Sequence, residues 1–249
     1  MRRSPARLAT PPLVAIALVA IALLAPLLAA RPLCAQAPPP TDTRPTIAIM
    51  SFSNGSVFEH ETFAPLSTGI TELLIHELSQ NDAIRVVERE QLQKVLDEIG
   101  LGATDRVDQA TAARIGRLVG AQHVIVGGFV VGPKGRTMAI TARADHTETG
   151  VVASSFKLEG KPDDALRLIA ELGRQLATRL RLPPMPERPA PPGGGGAGRF
   201  DAVVLYSRAL VERDRGNLQQ AAALFREALA RYPEYAQARL ALARLEGSE

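Results

Sequence analysis

The stretch from Ile84 to Val131 constrains this chain more than any other part of it. Ala83 to Val87 is a short apolar-rich run. Leu92, Val95, Leu96 and Ile99 then recur at helical spacing and stop at Gly100, and Ala112, Ile115 and Val119 recur after Val107-Asp108 and stop at Gly120. His123 to Val131 follows as a nearly continuous apolar run. A glycine just past each periodic segment supplies the left-handed backbone on which helices commonly end, and the flanking runs are too apolar to face water. The order is strand, helix, helix, strand, which predicts the core of an α/β domain.

The neighbouring residues extend that core in both directions. Thr46 to Phe52 reads as a first strand with Ile47, Ile49 and Phe52 apolar, and Ser53-Asn54-Gly55-Ser56 is expected to end it as a turn. Between Phe63 and Gln80, Leu66, Ile70, Leu73, Leu74 and Leu78 fall on one helical face. Beyond the turn Gly132-Pro133-Lys134-Gly135, Arg136 to Asp145 alternates Met138, Ile140, Ala142 and Ala144 with polar neighbours, so this strand buries one face only. Val151 to Leu158 returns with Val152, Phe156 and Leu158 on one side. Asp163 is the expected N-cap of a last helix to about Leu180, inward at Ala165, Ile169, Leu172 and Leu176. The predicted fold class is α/β, a mixed sheet of about five strands with helices mainly on one face, joined to a small C-terminal α-helical module.

Residues 1–37 have the layout of an export signal: Arg2, Arg3 and Arg7 without an acid, then the apolar run Leu13 to Ala30 broken only by Pro26. An uncleaved membrane anchor is the competing reading, because the run approaches the length of a span. Ala35-Gln36-Ala37 offers small residues for cleavage, placing the mature start between Gln36 and Pro38. The 29 Lys and Arg exceed the 26 Asp and Glu only through this leader; without its four arginines, 25 bases face 26 acids. The electrostatic footprint of a nucleic-acid binder is therefore lacking, and no nucleic-acid partner is expected. Cys34 is the single cysteine, which excludes an internal disulfide and a thiolate-built metal site. Removal with the leader is its expected fate, with lipidation as the alternative, since Arg31-Pro32-Leu33 is not the usual approach to a lipidated cysteine.

The domain plan is a signal peptide over 1–37, a linker over 38–45, the α/β domain over 46–182, a proline- and glycine-rich linker over 183–199, and a helical module over 200–249. Leu205, Ala209, Gly216, Ala221, Phe225, Ala228 and Pro233 match the framework of a tetratricopeptide repeat, a helical hairpin of about 34 residues. Arg208 and Glu212 depart from it, standing where apolar or small residues are usual. Ala236 to Leu245 begins a third helix. A single repeat cannot bury its own faces, so the module needs a cover. Leu240, Leu242 and Leu245 are the expected partner-binding residues, and the linker is expected to let the module reach away from the α/β domain.

Motifs for chemistry are weak throughout. Gly127-Gly128 through Lys134 mimics a phosphate loop, but Pro133 precedes the lysine and a strand follows where a helix should open. His76-Glu77 lacks a second histidine four residues on. Glu59-His60-Glu61 could hold a cation with His76 only if the loop folds back onto the helix, and the solvated reading of these residues is the simpler one. Ser51, Ser53 and Ser67 have no nucleophile-elbow context. Glu88-Arg89-Glu90 and Asp97-Glu98 fit a solvated helix face. The expectation is a non-enzymatic protein with no cofactor.

Several short segments, in order, resemble one family: Thr46 to Phe52, Gly69-Ile70-Thr71-Glu72-Leu73-Leu74, Val86-Val87-Glu88-Arg89, Ala113-Arg114-Ile115-Gly116, and Gly120-Ala121-Gln122-His123 through Gly128. Together they are similar to the curli production assembly/transport component (CsgG) family over about residues 45 to 180. That resemblance implies a domain of envelope proteins used for assembly and protein contact, with no catalytic residues to carry over. It implies a periplasmic accessory protein that helps assemble or export envelope or surface components, with the helical repeat as docking module. Envelope or secreted proteins are the implied partners, with homo-oligomers and outer-membrane association open to it. An oligomeric outer-membrane secretion channel and a regulator of a peptidoglycan synthase of the LpoB type are the alternatives.

Overall fold

The computed structural model describes residues 42–100, 107–186 and 198–247. The leader, Cys34, the start of the 38–45 linker and most of the 183–199 linker lie outside the described residues. From Thr43 onward the chain forms one compact unit. No helix among the described residues is long and apolar enough to cross a membrane.

At the centre of the parallel half lies β1 (Thr46–Ile49), fully buried, with β3 (Arg85–Val86) on one side and β4 (His123–Val131) on the other. The antiparallel strands β5 (Met138–His146) and β6 (Val152–Gly160) complete the order β3-β1-β4-β5-β6. The mixed α/β sheet expected from the sequence is present, with one strand more. Ser53-Asn54, which reads as a turn, instead forms β2 (Ser53–Asn54), parallel to Gly128 and Phe129 of β4. The turn starts one residue later, where Ser56 N–H donates to Asn54 Oδ1 at 2.9 Å and Gly55 N–H donates to Phe129 O at 2.8 Å. A side chain that bonds the backbone two residues on favours such a turn, so Asn54 serves both strand and turn.

Topology dictates where the first helices go. The chain leaves β1 through α1 (Leu66–Leu78) to β3 on one flank, then passes through α2 (Arg89–Glu98) and α3 (Gln109–Val119) to β4 on the other flank. Two crossovers in opposite directions can both be right-handed only if their helices lie on opposite faces. The buried residues divide accordingly. Ile47, Ile49, Ile125, Phe129 and Ile140 cluster with α1 and α4 (Ala165–Arg179), whereas Ala48, Met50 and Val124 cluster with α2 and α3. Asp108 caps α3 as expected, accepting Thr111 N–H at 2.7 Å, and Gly120 ends it at φ 67°.

The C-terminal helices α5 (Arg199–Asp214), α6 (Leu218–Arg231) and α7 (Ala236–Glu246) form the predicted hairpin and third helix. Ala209, Ala221, Phe225 and Ala228 are completely buried at its seam. Tyr206 stacks near Phe225 and Tyr235 at 5.6 and 5.1 Å between ring centres. The expectation that this module reaches away from the α/β domain is corrected: α5 packs on α1 in the same apolar cluster as the sheet.

Candidate interaction surface

The seam between module and sheet domain follows from two small residues. Gly69 of α1 and Ser207 of α5 meet so closely that a Cβ on Gly69 would stand 1.8 Å from Ser207 Oγ and 3.3 Å from Ser207 Cα. Ser207 Oγ–H is satisfied within its own helix by Val203 O at 2.7 Å, so no buried polar atom is lost there. Phe63 and Phe200 pack at 5.7 Å at one end. At the other end Arg89 bonds Asp214 at 2.6 Å, with Glu72 3.7 Å away. Asp163 does not cap α4 as the sequence suggested; its Oδ1 accepts the N–H of Phe200, in the first turn of α5, at 3.1 Å. The carboxylate thus satisfies one of the unpaired donors at the start of a helix distant in sequence. Asn81 Nδ2 donates to the carbonyls of Pro183 and Pro184, tying down the start of the linker.

The two departures from the repeat framework are also explained. Arg208 projects into solvent, while Glu212 accepts Asn217 Nδ2 at 2.6 Å and Arg215 Nη1 at 2.8 Å. Those bonds close the α5–α6 turn and hold the Glu212 carboxyl below its ordinary pKa, the Asn217 bond foremost.

The helices that cover the second face of the sheet leave its antiparallel half open. Val130 of β4, Thr141 of β5 and Ser155, Lys157 and Glu159 of β6 are exposed on this face. A groove of about 620 Å³ lies between Thr141 and Ser155 of this face and the start of α3, lined also by Ser51, Ser53, Gly128, Arg143 and Asp108. Arg143 forms the wall toward α3. Its Nε donates to the fully buried Asp145 carboxylate at 2.9 Å, and its Nη2 donates to Val107 O. With Asp145 desolvated, this pairing is what makes a charge tolerable there. Thr111 N–H holds the Asp108 carboxyl below its ordinary pKa.

Beyond the groove, at the far end of β4, the chain carries an apolar projection. Val131 N–H donates to Ser56 Oγ at 2.9 Å, fixing the loop from which Val57 and Phe58 protrude, 85% and 56% exposed. Neither residue stands out in the sequence. An apolar pair between a turn and a helix start, with no periodic partner, is the signal available there.

The predicted partner-binding residues separate. Leu240 is 49% exposed, while Leu242 and Leu245 pack partly buried on the apolar core. His60 lies 3.8 Å from Glu61, and His76 lies beside Gln80 on α1. Among the described residues no three His, Cys, Asp or Glu come together in a metal-binding group. Gly132 to Gly135 joins two antiparallel strands as the hairpin connection expected.

Comparison with known proteins gives the following. No curated protein matches the chain. Among solved structures, the LpoB C-terminal domain from Salmonella enterica aligns with 23% identity over 47% of this chain and 82% of that one, TM-score 0.38. Lipoprotein GNA1162 from Neisseria meningitidis aligns with 15% identity over 47% and 79%, TM-score 0.39. The PelC dodecamer from Paraburkholderia phytofirmans aligns with 13% identity over 52% and 86%, TM-score 0.32. Residues 29–131 match the family model of the curli production assembly/transport component CsgG, and residues 202–245 match that of a tetratricopeptide repeat. The chain therefore combines a segment similar to the CsgG family with a segment similar to a tetratricopeptide repeat.

Proposed function

We propose that this chain is a non-enzymatic periplasmic accessory protein that assists assembly or export of envelope or surface components by binding protein partners. The family model for residues 29–131, that of an assembly and transport component, supports the process. The export-type leader supports the compartment, and the tetratricopeptide repeat supports protein contact as the mode of action. One observation carries the choice of surface. The inner helix of the repeat, α5, is occupied by α1, while Val57, Phe58 and the adjoining sheet face are exposed among the described residues. Exposed apolar groups with polar surroundings are the usual mark of a protein contact. The repeat contributes Leu240 on α7 as a secondary contact; Leu242 and Leu245 anchor that helix.

The test is photo-crosslinking in intact cells from a probe placed at Phe58 or, separately, at Leu240. Adducts with envelope or secreted proteins from Phe58, and fewer from Leu240, are expected. Adducts from Leu240 alone would move the contact to the repeat, and adducts confined to cytoplasmic proteins would overturn the assignment.

A further inference from the structure

We propose that β6 is a self-complementary edge on which a second copy of this chain docks, continuing the sheet across a two-fold axis at Leu158. The sheet ends in two edges of very different kind. On one side β3 contributes two residues; on the other β6 contributes nine, paired only with β5. A long, regular edge strand presents unpaired backbone groups to solvent, which makes it a template for another strand.

Which groups are free follows from the hairpin pattern. Gly132 N–H donates to Thr137 O at 2.9 Å, so these two residues form a hydrogen-bonded pair. Antiparallel ladders alternate bonded and non-bonded pairs, so Met138, Ile140, Ala142 and Ala144 turn their N–H and C=O groups toward β6. Their partners there are Gly160, Leu158, Phe156 and Ser154. Ser155, Lys157 and Glu159 must then aim their backbone groups at the open edge.

Charge selects the register. Lys157 and Glu159 lie on the open face of β6, 67% and 64% exposed, and pair with each other at 2.7 Å. In an antiparallel match centred on Leu158, Lys157 of each copy stands opposite Glu159 of the other. These are bonded pairs, so each exchanges two backbone hydrogen bonds, and two cross-strand ion pairs replace the two internal ones. A one-residue slip would set the charged face of one strand against the apolar face of the other, and a two-residue slip would set Lys157 or Glu159 opposite itself, where like charges are unfavourable. On the covered face the same register places Phe156 opposite Gly160, where no side chain competes for space, and Leu158 opposite itself. The strand ends at Gly160 and the chain turns away at Pro162, which limits the match. An interface joining identical patches by a two-fold axis closes on itself, which predicts a dimer and no further growth. This interface does not depend on how the client contact is assigned, since it uses the strand edge and leaves Phe58 and Leu240 free.

The experiment is sedimentation of the purified chain over a range of concentrations, with Lys157→Glu, Glu159→Lys and the double exchange. Wild type should show a reversible monomer–dimer equilibrium. Each single reversal should weaken it by about tenfold or more, since it creates two like-charge contacts per dimer, and the double exchange should restore it. Amide exchange gives a readout in the unmodified chain: the Lys157 and Glu159 N–H groups should slow as the dimer fills, while those of Phe156 and Leu158, bonded to β5, should not change. A monomer at all concentrations, or a dimer indifferent to both single reversals, would overturn the proposal.

Discussion

The two faces of this sheet are built from the same strands and have opposite fates. One is covered by α1 and α4, and α1 is backed in turn by α5 of the repeat. The other carries α2 and α3 over its parallel half and the edge of β5, and no helix among the described residues covers β6 on that side. Along β5 the alternation is direct: Met138, Ile140, Ala142 and Ala144 face the covered side, while Thr141 and Arg143 face the open side. A period of two lets one strand write two surfaces, and the side-chain size on each decides whether a helix can be held there. The difference teaches that the covered face bears the stability and the open face is free to bind.

The largest test removes the outer cover. A linker rich in proline and glycine presents residues 199–249 as dispensable for folding of the α/β domain, but α5 buries part of α1 and receives the Asp163 cap. Deleting them should lower the urea midpoint more than any substitution below and increase binding of an apolar dye. A truncated domain as stable as the whole chain would mean that the repeat merely rests on the sheet domain.

Neighbours on one strand sharpen the contrast. Ile140 is completely buried and Thr141 is exposed on the opposite face. Ile140→Ala should cost about 2–5 kcal/mol, the usual effect of deleting a buried branched side chain. Thr141→Ala should stay within about 0.5 kcal/mol. Equal losses in chemical denaturation would show that the open face is covered in solution.

A smaller effect lies at the helix seam. Gly69→Ala gains helix propensity but sets a methyl against Ser207, and should destabilise by about 1–3 kcal/mol, the range for an overpacked contact. Ser207→Gly removes the obstructing side chain, so the double variant should recover part of the loss. Strict additivity in the double-mutant cycle would show that the helices do not meet at this point.

Much of this architecture was legible because it is local. The runs from Leu92 to Gly120 and from His123 to Val131 carry their own period and stops, and the hairpin of the repeat carries its own framework. What was not legible depends on partners distant in sequence. Ser53-Asn54 reads as a turn, because its strand character comes only from pairing with Gly128 and Phe129. Asp163 sits where a cap belongs and caps a different helix. The packing of α5 on α1 left one trace, a glycine and a serine in the middle of two helices, and small residues in such places permit close approach without naming the neighbour. The site was hidden for the same reason: Val57 and Phe58 gain meaning only when Ser56 bonds Val131 beside an uncovered sheet.

The smallest expected effect concerns His123, at the start of β4 and opposite His146 on β5. Its ring meets that of His146 edge to face at 5.2 Å, and its buried Nδ1 has no hydrogen-bond partner among the described residues. Burial, and then the neighbouring imidazole, lower its pKa from the ordinary value of 6.5. A histidine held neutral in the fold but free to protonate when unfolded adds stability that is complete above the unfolded pKa and is lost as pH falls toward the folded pKa. The window opens near pH 6.5 and extends downward. His123→Gln should therefore flatten the decline in the urea midpoint across that window while leaving the slope above neutrality unchanged, because the ring is neutral in both states there. The effect should be smaller than that of the seam variant, since the imidazole is only half-buried and solvent screens part of the charge. An identical decline in the variant would assign the acid sensitivity to other groups, and a steeper one would mean that the ring is stabilised as the cation.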